Sequence, residues 1–143
     1  MDAAPLQLSE IDALARAWYR ALDVHASLLD LLPMLADQGL EMVFPEATER
    51  GYAGFEHWYG RVIRIFFNEV HTVKSVELVN GGKQVHVVVH WEASVWNPPA
   101  PKSDRISCIA DQTWEVARNA AGKPIITKYI VNGITYDEGS AKL

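Results

Sequence analysis

The pattern of hydrophobic and polar positions switches from a helical period to a strand period along the chain. Apolar residues recur at helical spacing within residues 9–23, 27–36 and 53–68, and they alternate with polar ones within residues 70–79, 84–96, 105–118 and 125–136. These periods are typical of helices and strands that each bury one face. Helices followed by a run of strands predict an α+β domain, with the helices packed on one face of an antiparallel sheet.

Local signals refine the expected element boundaries. Ser9 and Asp12 approximate a capping box at the start of the first helix, and Pro33 should divide the second helical segment. Residues 48–54 contain two glycines and predict a turn, and residues 80–83 (Asn-Gly-Gly-Lys) predict a hairpin turn. The third helix carries the cleanest apolar stripe, which we expect to be core: Phe55, Trp58, Tyr59, Val62, Ile63 and Phe66.

Length and composition favour a single domain of residues 1–143, with its core in about residues 9–136. The net charge is −5 and no basic cluster is present, which argues against a nucleic-acid partner. No apolar run is long enough to span a membrane, so we expect no membrane partner. Cys108 is the one cysteine, which excludes an intrachain disulfide and is typical of a reducing compartment, so we expect a cytoplasmic location.

Four segments in the first half of the chain follow the progression of a known family. They are residues 21–25 (Ala-Leu-Asp-Val-His), 35–37 (Leu-Ala-Asp), 40–45 (Leu-Glu-Met-Val-Phe-Pro) and 50–55 (Arg-Gly-Tyr-Ala-Gly-Phe). With the order of elements, they make the chain resemble the SnoaL-like branch of the nuclear-transport-factor-two-like fold. The resemblance implies a cone-shaped pocket between the sheet and the helices, frequent dimerisation through the other sheet face, and chemistry without a cofactor.

Asp23 and His25 are the candidate catalytic residues, because enzymes of this family commonly use a carboxylate or a histidine in the cone for proton transfer. Burial raises the pKa of a carboxylate toward neutrality, where it exchanges protons usefully. The alternative is local and structural, with Asp23 organising the next helix and His25 bonding a carbonyl. Asn132 stands where many family members carry an acid, and an amide can bind a ligand but cannot abstract a proton.

A mainly hydrophobic pocket is expected inside the cone, suited to a hydrophobic small molecule with one or two polar groups. The expected walls are Trp18, Leu22, Phe44, Trp58, Trp91 and Trp114, with Tyr129 and Asn132 as polar groups beside Asp23 and His25. For Trp114, plain core packing is the alternative.

One face of the second long strand carries mixed residues, namely His86, His90, Glu92 and Trp96, opposite a face of aliphatic residues and Trp91. Either this mixed face lines the cone, or it is the outer face and forms a homodimer interface, which an exposed tryptophan favours. His86 and His90 lie about 13 Å apart on a strand, and zinc needs both nitrogens at about 2 Å. We therefore expect no metal site.

These expectations define three candidate functions. The first is a small-molecule-binding SnoaL-like protein with a hydrophobic pocket. The second is a cofactor-independent cyclase, isomerase or dehydratase that acts by proton transfer on a polyketide- or steroid-like substrate. The third is a dimeric association module without a ligand. An isolated interior acid with a raised pKa would favour the enzyme, a closed apolar cavity the binding protein, and a filled core the association module.

Overall fold

The computed structural model describes residues 4–143, which form three α-helices and six strands. The helices are α1 (Leu8–Asp23), α2 (Leu28–Leu31) and α3 (Gly51–Ile65). The strands are β1 (Glu41–Val43), β2 (Thr48–Arg50), β3 (Phe66–Val79), β4 (Gln84–Val95), β5 (Asp104–Arg118) and β6 (Pro124–Tyr136). Short 3-10 turns at Leu32–Met34 and Asn80–Gly82 complete the described elements, and the first follows the break expected at Pro33.

The six strands form one mixed sheet in the order β2-β1-β6-β5-β4-β3. Strands β3 to β6 pair antiparallel in chain order, as the strand pattern predicted. The short strand β1 pairs parallel to β6 and antiparallel to β2, so the sheet is mixed rather than a pure meander. The α+β class is confirmed, with α1 packed chiefly against β3.

Three predicted boundaries were wrong. The capping box at the start of α1 uses Gln7 and Glu10, whose carboxylate accepts the Gln7 backbone N–H at 3.1 Å, rather than Ser9 and Asp12. The expected turn at residues 48–54 contains β2 and the first turn of α3. Helix α3 ends at Ile65 rather than at residue 68, because Phe66 adopts an extended backbone and pairs with Val95 in the β-ladder.

The apolar stripe of α3 is less buried than the sequence predicted. Phe55 and Tyr59 are buried, whereas Trp58 and Val62 are only half-buried and Ile63 is exposed. The prediction of a continuous core along this stripe was therefore wrong. Part of the space in front of the stripe is a cavity rather than packed side chains.

Strand β4 confirms the predicted alternation. Val85, Val87, Val89 and Ala93 are buried on the face toward the helices. On the opposite face, His86 Nε2 lies 2.8 Å from Asp111 Oδ2, and His90 Nε2 lies 2.7 Å from Asp137 Oδ2. The inner face of the sheet therefore borders the cavity, and the two histidines lie outside it.

Candidate functional site

A cavity of about 810 Å³ lies between the inner face of the sheet and helix α3. Most of its lining is aromatic or aliphatic, including Phe44, Trp58, Trp91, Val89 and Tyr129. The rings of Phe44 and Trp58 stack almost parallel, 5° apart in plane angle and 4.3 Å between centroids, so they line the cavity as a stacked pair. The polar members of the lining include Glu69, His71 and Gln112.

Six of the predicted pocket residues border this cavity: Leu22, Phe44, Trp58, Trp91, Tyr129 and Asn132. Trp18 and Trp114 do not, and their assignment to the pocket wall was wrong. Both side chains are fully buried behind the wall, Trp18 at 5.6 Å from Phe55 and Trp114 at 5.4 Å from Tyr129 between ring centroids. They pack in the core between α1 and the sheet, where a large ring excludes both water and ligand.

Asn132 borders the cavity, but its side chain is engaged elsewhere. The β5–β6 register shifts between Asp111, which pairs with Gly133, and Gln112, which pairs with Val131, so Asn132 sits in a bulge. Its amide donates to Asp111 Oδ1 at 2.9 Å and to the outer-face residue Thr113 at 2.8 Å. The predicted role as a polar group inside the pocket is therefore corrected, because the bulge directs the amide to the outer face.

Asp23, the last residue of α1, contacts His71 on β3 through both of its carboxylate oxygens. Asp23 Oδ2 accepts the backbone N–H of His71 at 2.9 Å, and Asp23 Oδ1 lies 2.5 Å from His71 Nδ1. The imidazole is stacked between Tyr19 at 4.7 Å and Trp91 at 6.1 Å, measured between ring centroids. Within residues 4–143, His71 Nε2 has no hydrogen-bond partner, and His71 lines the cavity. The pair thus presents one oriented ring nitrogen.

His25 is bound by a different carboxylate, that of Glu69. His25 Nε2 lies 2.5 Å from Glu69 Oε2, and the indole N–H of Trp91 donates to Glu69 Oε1 at 3.2 Å. The Glu69 side chain is 2 % exposed and lines the cavity, whereas the His25 side chain is 28 % exposed and does not. Asp23 and His25 therefore belong to two separate pairs, Asp23 with His71 and His25 with Glu69.

Glu69 and His71 were missed at the sequence level, although a signal for them exists. Residues 23–25 read Asp-Val-His and residues 69–71 read Glu-Val-His. The acid of each tripeptide binds the histidine of the other, and both central valines are exposed. In the strand segment 69–71, a two-residue spacing places acid and histidine on the same side, so its match to residues 23–25 could have indicated two polar pairs.

The chain is similar in fold to solved structures of other proteins. Neither the protein-family models nor the curated proteins give a match. A ketosteroid isomerase-like protein from Erwinia carotovora atroseptica superposes with a TM-score of 0.67 at 16 % identity, over 90 % of this chain and 95 % of that one. The hexachlorocyclohexane dehydrochlorinase LinA-type3 from Novosphingobium barchaimii gives a TM-score of 0.63 at 16 % identity, over 94 % and 92 %.

A third similar structure is that of a protein from Shewanella denitrificans, provisionally named a SnoaL-like polyketide cyclase, with a TM-score of 0.65 at 11 % identity over 88 % and 89 %. The chain has the nuclear-transport-factor-two-like cone fold. This confirms the predicted resemblance in fold. Because all three identities are low, the likeness says nothing by itself about activity.

A buried hydrogen-bond network closes the cone behind His71. The Gln112 side-chain oxygen accepts from the Tyr19 hydroxyl at 2.6 Å and from the Trp114 indole at 2.8 Å, and the Tyr19 and Tyr129 hydroxyls lie 3.1 Å apart. Burial raises the pKa of Tyr19 well above its ordinary value, so the phenol stays neutral. The network fixes the ring of Tyr19 against the imidazole of His71.

A metal site needs several ligating side chains that converge on one point. Among residues 4–143, no group of three or more histidine, cysteine, aspartate or glutamate side chains is arranged to hold a metal ion. His86 and His90 bind separate carboxylates on the outer face. Over the same part of the chain, the helices lack the length and apolar character needed to cross a membrane.

Proposed function

We propose that the protein binds a hydrophobic small molecule in the cavity of the cone. The observation that carries the proposal is the cavity itself, whose volume of about 810 Å³ lies within the range of about 300–1,000 Å³ that small-molecule sites occupy. Its lining is mostly apolar, with a few polar side chains in fixed positions, which is the usual composition of such sites.

The shape of the lining favours a flat ligand. The half-buried ring of Trp58, stacked on the buried Phe44, offers a planar apolar surface on which a fused ring system can lie. His71 and Gln112 offer polar atoms for one or two oxygen substituents. These features support a polyketide- or steroid-like ligand over a highly charged one.

The binding proposal is tested by filling the cavity. Ala110 borders the cavity on β5, so Ala110→Phe should occupy ligand space and weaken the binding of polycyclic ketones, measured by thermal shift and by quenching of tryptophan fluorescence. Ala121→Phe, in an exposed turn, is the matched control. Equal affinity for the wild type and both variants would place the ligand elsewhere and contradict the proposal.

The Asp23–His71 pair favours a second candidate function, cofactor-independent proton transfer at carbon. With Nδ1 held by the carboxylate, His71 Nε2 is free to accept a proton from a carbon next to a carbonyl, and Asp23 would stabilise the imidazolium that forms. In this arrangement His71 is the base and Asp23 positions it. The similar structure named as a dehydrochlorinase is consistent with chemistry of this type in such a cone.

Deuterium exchange separates the binder from the enzyme. In an enzyme, 2-tetralone in D₂O should exchange its acidic carbon-bound hydrogens faster when the protein is present. Asp23→Asn and His71→Gln should each lower that rate by about 10²–10⁴-fold, the usual range for general acid–base catalysis, while ligand affinity is retained. Asp37→Asn, on an exposed residue, is the control. If the wild type binds the ketone but does not catalyse exchange, the binding function stands and the enzymatic function is refuted.

The outer sheet face supports the proposal of a homodimer. Trp96 is 53 % exposed, although its indole N–H donates to the Ala100 carbonyl at 2.8 Å. A large exposed ring at the end of a strand whose outer face carries His86, His90 and Glu92 is typical of a protein interface. Sedimentation should give about twice the 16.0 kDa chain mass at micromolar concentration, and Trp96→Lys should restore the monomer. A 16.0 kDa species in the wild type would contradict the interface.

A further inference from the structure

We infer that the Glu69–His25 pair is a second proton-transfer unit, which exchanges protons between the cavity and solvent and complements the proton removed by His71. The inference rests on the proposed proton-transfer function. It assigns Glu69 as a further catalytic residue and His25 as the residue that supplies its proton.

Glu69 has the location that this role requires. It borders the main cavity and also a smaller surface cavity of about 560 Å³, which His25 lines as well. The Glu69 side chain is 2 % exposed and the His25 side chain is 28 % exposed. A proton therefore needs only two titratable groups, 2.5 Å apart, to pass between the interior of the cone and solvent.

The partners of Glu69 differ from those of a carboxylate with a purely structural role. A buried carboxylate is normally neutralised by a permanent cation or by several donors. Arg105 lines the same surface cavity, yet its guanidinium donates to the Asn68 carbonyl at 2.6 Å and to Ser94 Oγ at 3.0 Å. Glu69 is left with a titratable histidine and one indole N–H as its hydrogen-bond partners within residues 4–143.

The other titratable group near Glu69 is unsuited to carry the proton. Burial, together with the negative charge of Glu69, raises the pKa of Tyr59 to about 12. Its hydroxyl donates to the Ala26 carbonyl at 2.6 Å and therefore stays protonated and engaged. Asp23, the remaining acid beside the surface cavity, is occupied by both bonds to His71. Because Tyr59 and Asp23 are both engaged in other hydrogen bonds, the proton passes between Glu69 and solvent through His25.

Together, the two pairs supply the two proton transfers of an isomerisation: one pair removes a proton from carbon and the other delivers one. His71 Nε2 takes a proton from the carbon between a carbonyl and a C=C bond, and the electron pair of that C–H bond forms a dienolate. The Glu69 carboxylate takes a proton from His25 across their 2.5 Å contact and gives it to the far carbon of the dienolate, which yields the conjugated ketone. The proton on His71 returns to solvent, and His25 takes up a proton from solvent, so the enzyme regains its starting state.

Glu69→Gln tests this assignment against a structural role. The probe is a bicyclic β,γ-unsaturated ketone in D₂O, whose carbon-bound exchange is followed by NMR and whose conjugation is followed by ultraviolet absorbance. Glu69→Gln should lower conjugation by about 10²–10⁴-fold while exchange at the carbon served by His71 continues. Glu77→Gln, on the exposed part of the same strand, should change neither rate.

His25→Asn tests the link to solvent. His25 has a positive φ of 51°, which asparagine tolerates better than most residues, so the backbone should be preserved. Conjugation should fall at low buffer concentration and recover when imidazole is added, because free imidazole can replace the missing proton carrier.

Two outcomes overturn the assignment, and they are distinguishable. If Glu69→Gln retains wild-type conjugation, or loses exchange and conjugation in equal proportion, Glu69 does not deliver the proton. If the wild type binds the ketone but catalyses no exchange, the proposed proton-transfer function fails and this assignment fails with it. Circular dichroism and ketone affinity of each variant show that the fold and the cavity are intact.

Discussion

Replacing Gln112 with leucine should lower the free energy of unfolding by about 2–4 kcal/mol. Gln112 is 3 % exposed, and its side-chain oxygen accepts from both Tyr19 and Trp114. Leucine has a similar size but no acceptor, so the Trp114 indole N–H loses its partner at a cost of about 1–3 kcal/mol. The Tyr19 hydroxyl keeps Tyr129 and should lose only about 1 kcal/mol, the net value of one hydrogen bond.

Urea unfolding followed by circular dichroism measures this cost, provided that the dependence on urea concentration is unchanged. Gln38→Leu, at an exposed position, is the matched control and should stay within about 0.5 kcal/mol of the wild type. Tyr19→Phe should cost about 1 kcal/mol alone and less in the background of Gln112→Leu, because the two residues share one bond. A loss below about 1 kcal/mol for Gln112→Leu would refute the argument that these donors depend on Gln112.

Three further predictions follow from burial and charge. Trp58→Ala should cost about 1–3 kcal/mol and Phe55→Ala about 3–5 kcal/mol in the same urea assay, because Trp58 borders the cavity and Phe55 is fully buried. Hydrogen bonds, chiefly from the Asn132 amide, lower the pKa of Asp111. The Asp111 carboxylate therefore stabilises the fold at pH values above the ordinary pKa of an aspartate, about 4, and this contribution is lost as the pH falls below that value. Asp111→Asn should therefore flatten the acid side of the stability curve, and an unchanged slope would contradict this. Burial raises the pKa of the Cys108 thiol to about 11, so a thiol reagent at neutral pH should react only after unfolding.

The strand pattern predicted the sheet well because the pleat has a period of two residues. In β4, the alternation correctly placed Val85, Val87 and Val89 on one face and His86 and His90 on the other, and the valine face is the buried one. The antiparallel pairing of β3 with β4 also follows from the hairpin turn at Asn80–Gly82. These features depend on local geometry, which a sequence expresses directly.

Predictions about the site were weaker. Hydrophobic periodicity shows which face of an element is apolar, but it does not show whether the space between the helices and the sheet is filled by side chains or left as a cavity. The stripe of α3 reads as core, yet Trp58 borders a cavity and Ile63 is exposed. Trp18 and Trp114 read as pocket walls, yet both are buried behind the lining. Asn132 was assigned by its position along β6, but a bulge, which inserts one residue into the register, turned its amide outward.

The sequence by itself determined the class of the fold, the succession of the long elements and the presence of Asp23 and His25 at the end of the first helix. Only the tertiary structure decided their partners, since Glu69 and His71 lie more than forty residues further along the chain. Hydrophobic periodicity is a local property, set by the geometry of one helix or strand. The pairing of an acid with a histidine from another element depends on where β3 crosses the end of α1, and that crossing is a property of the folded sheet.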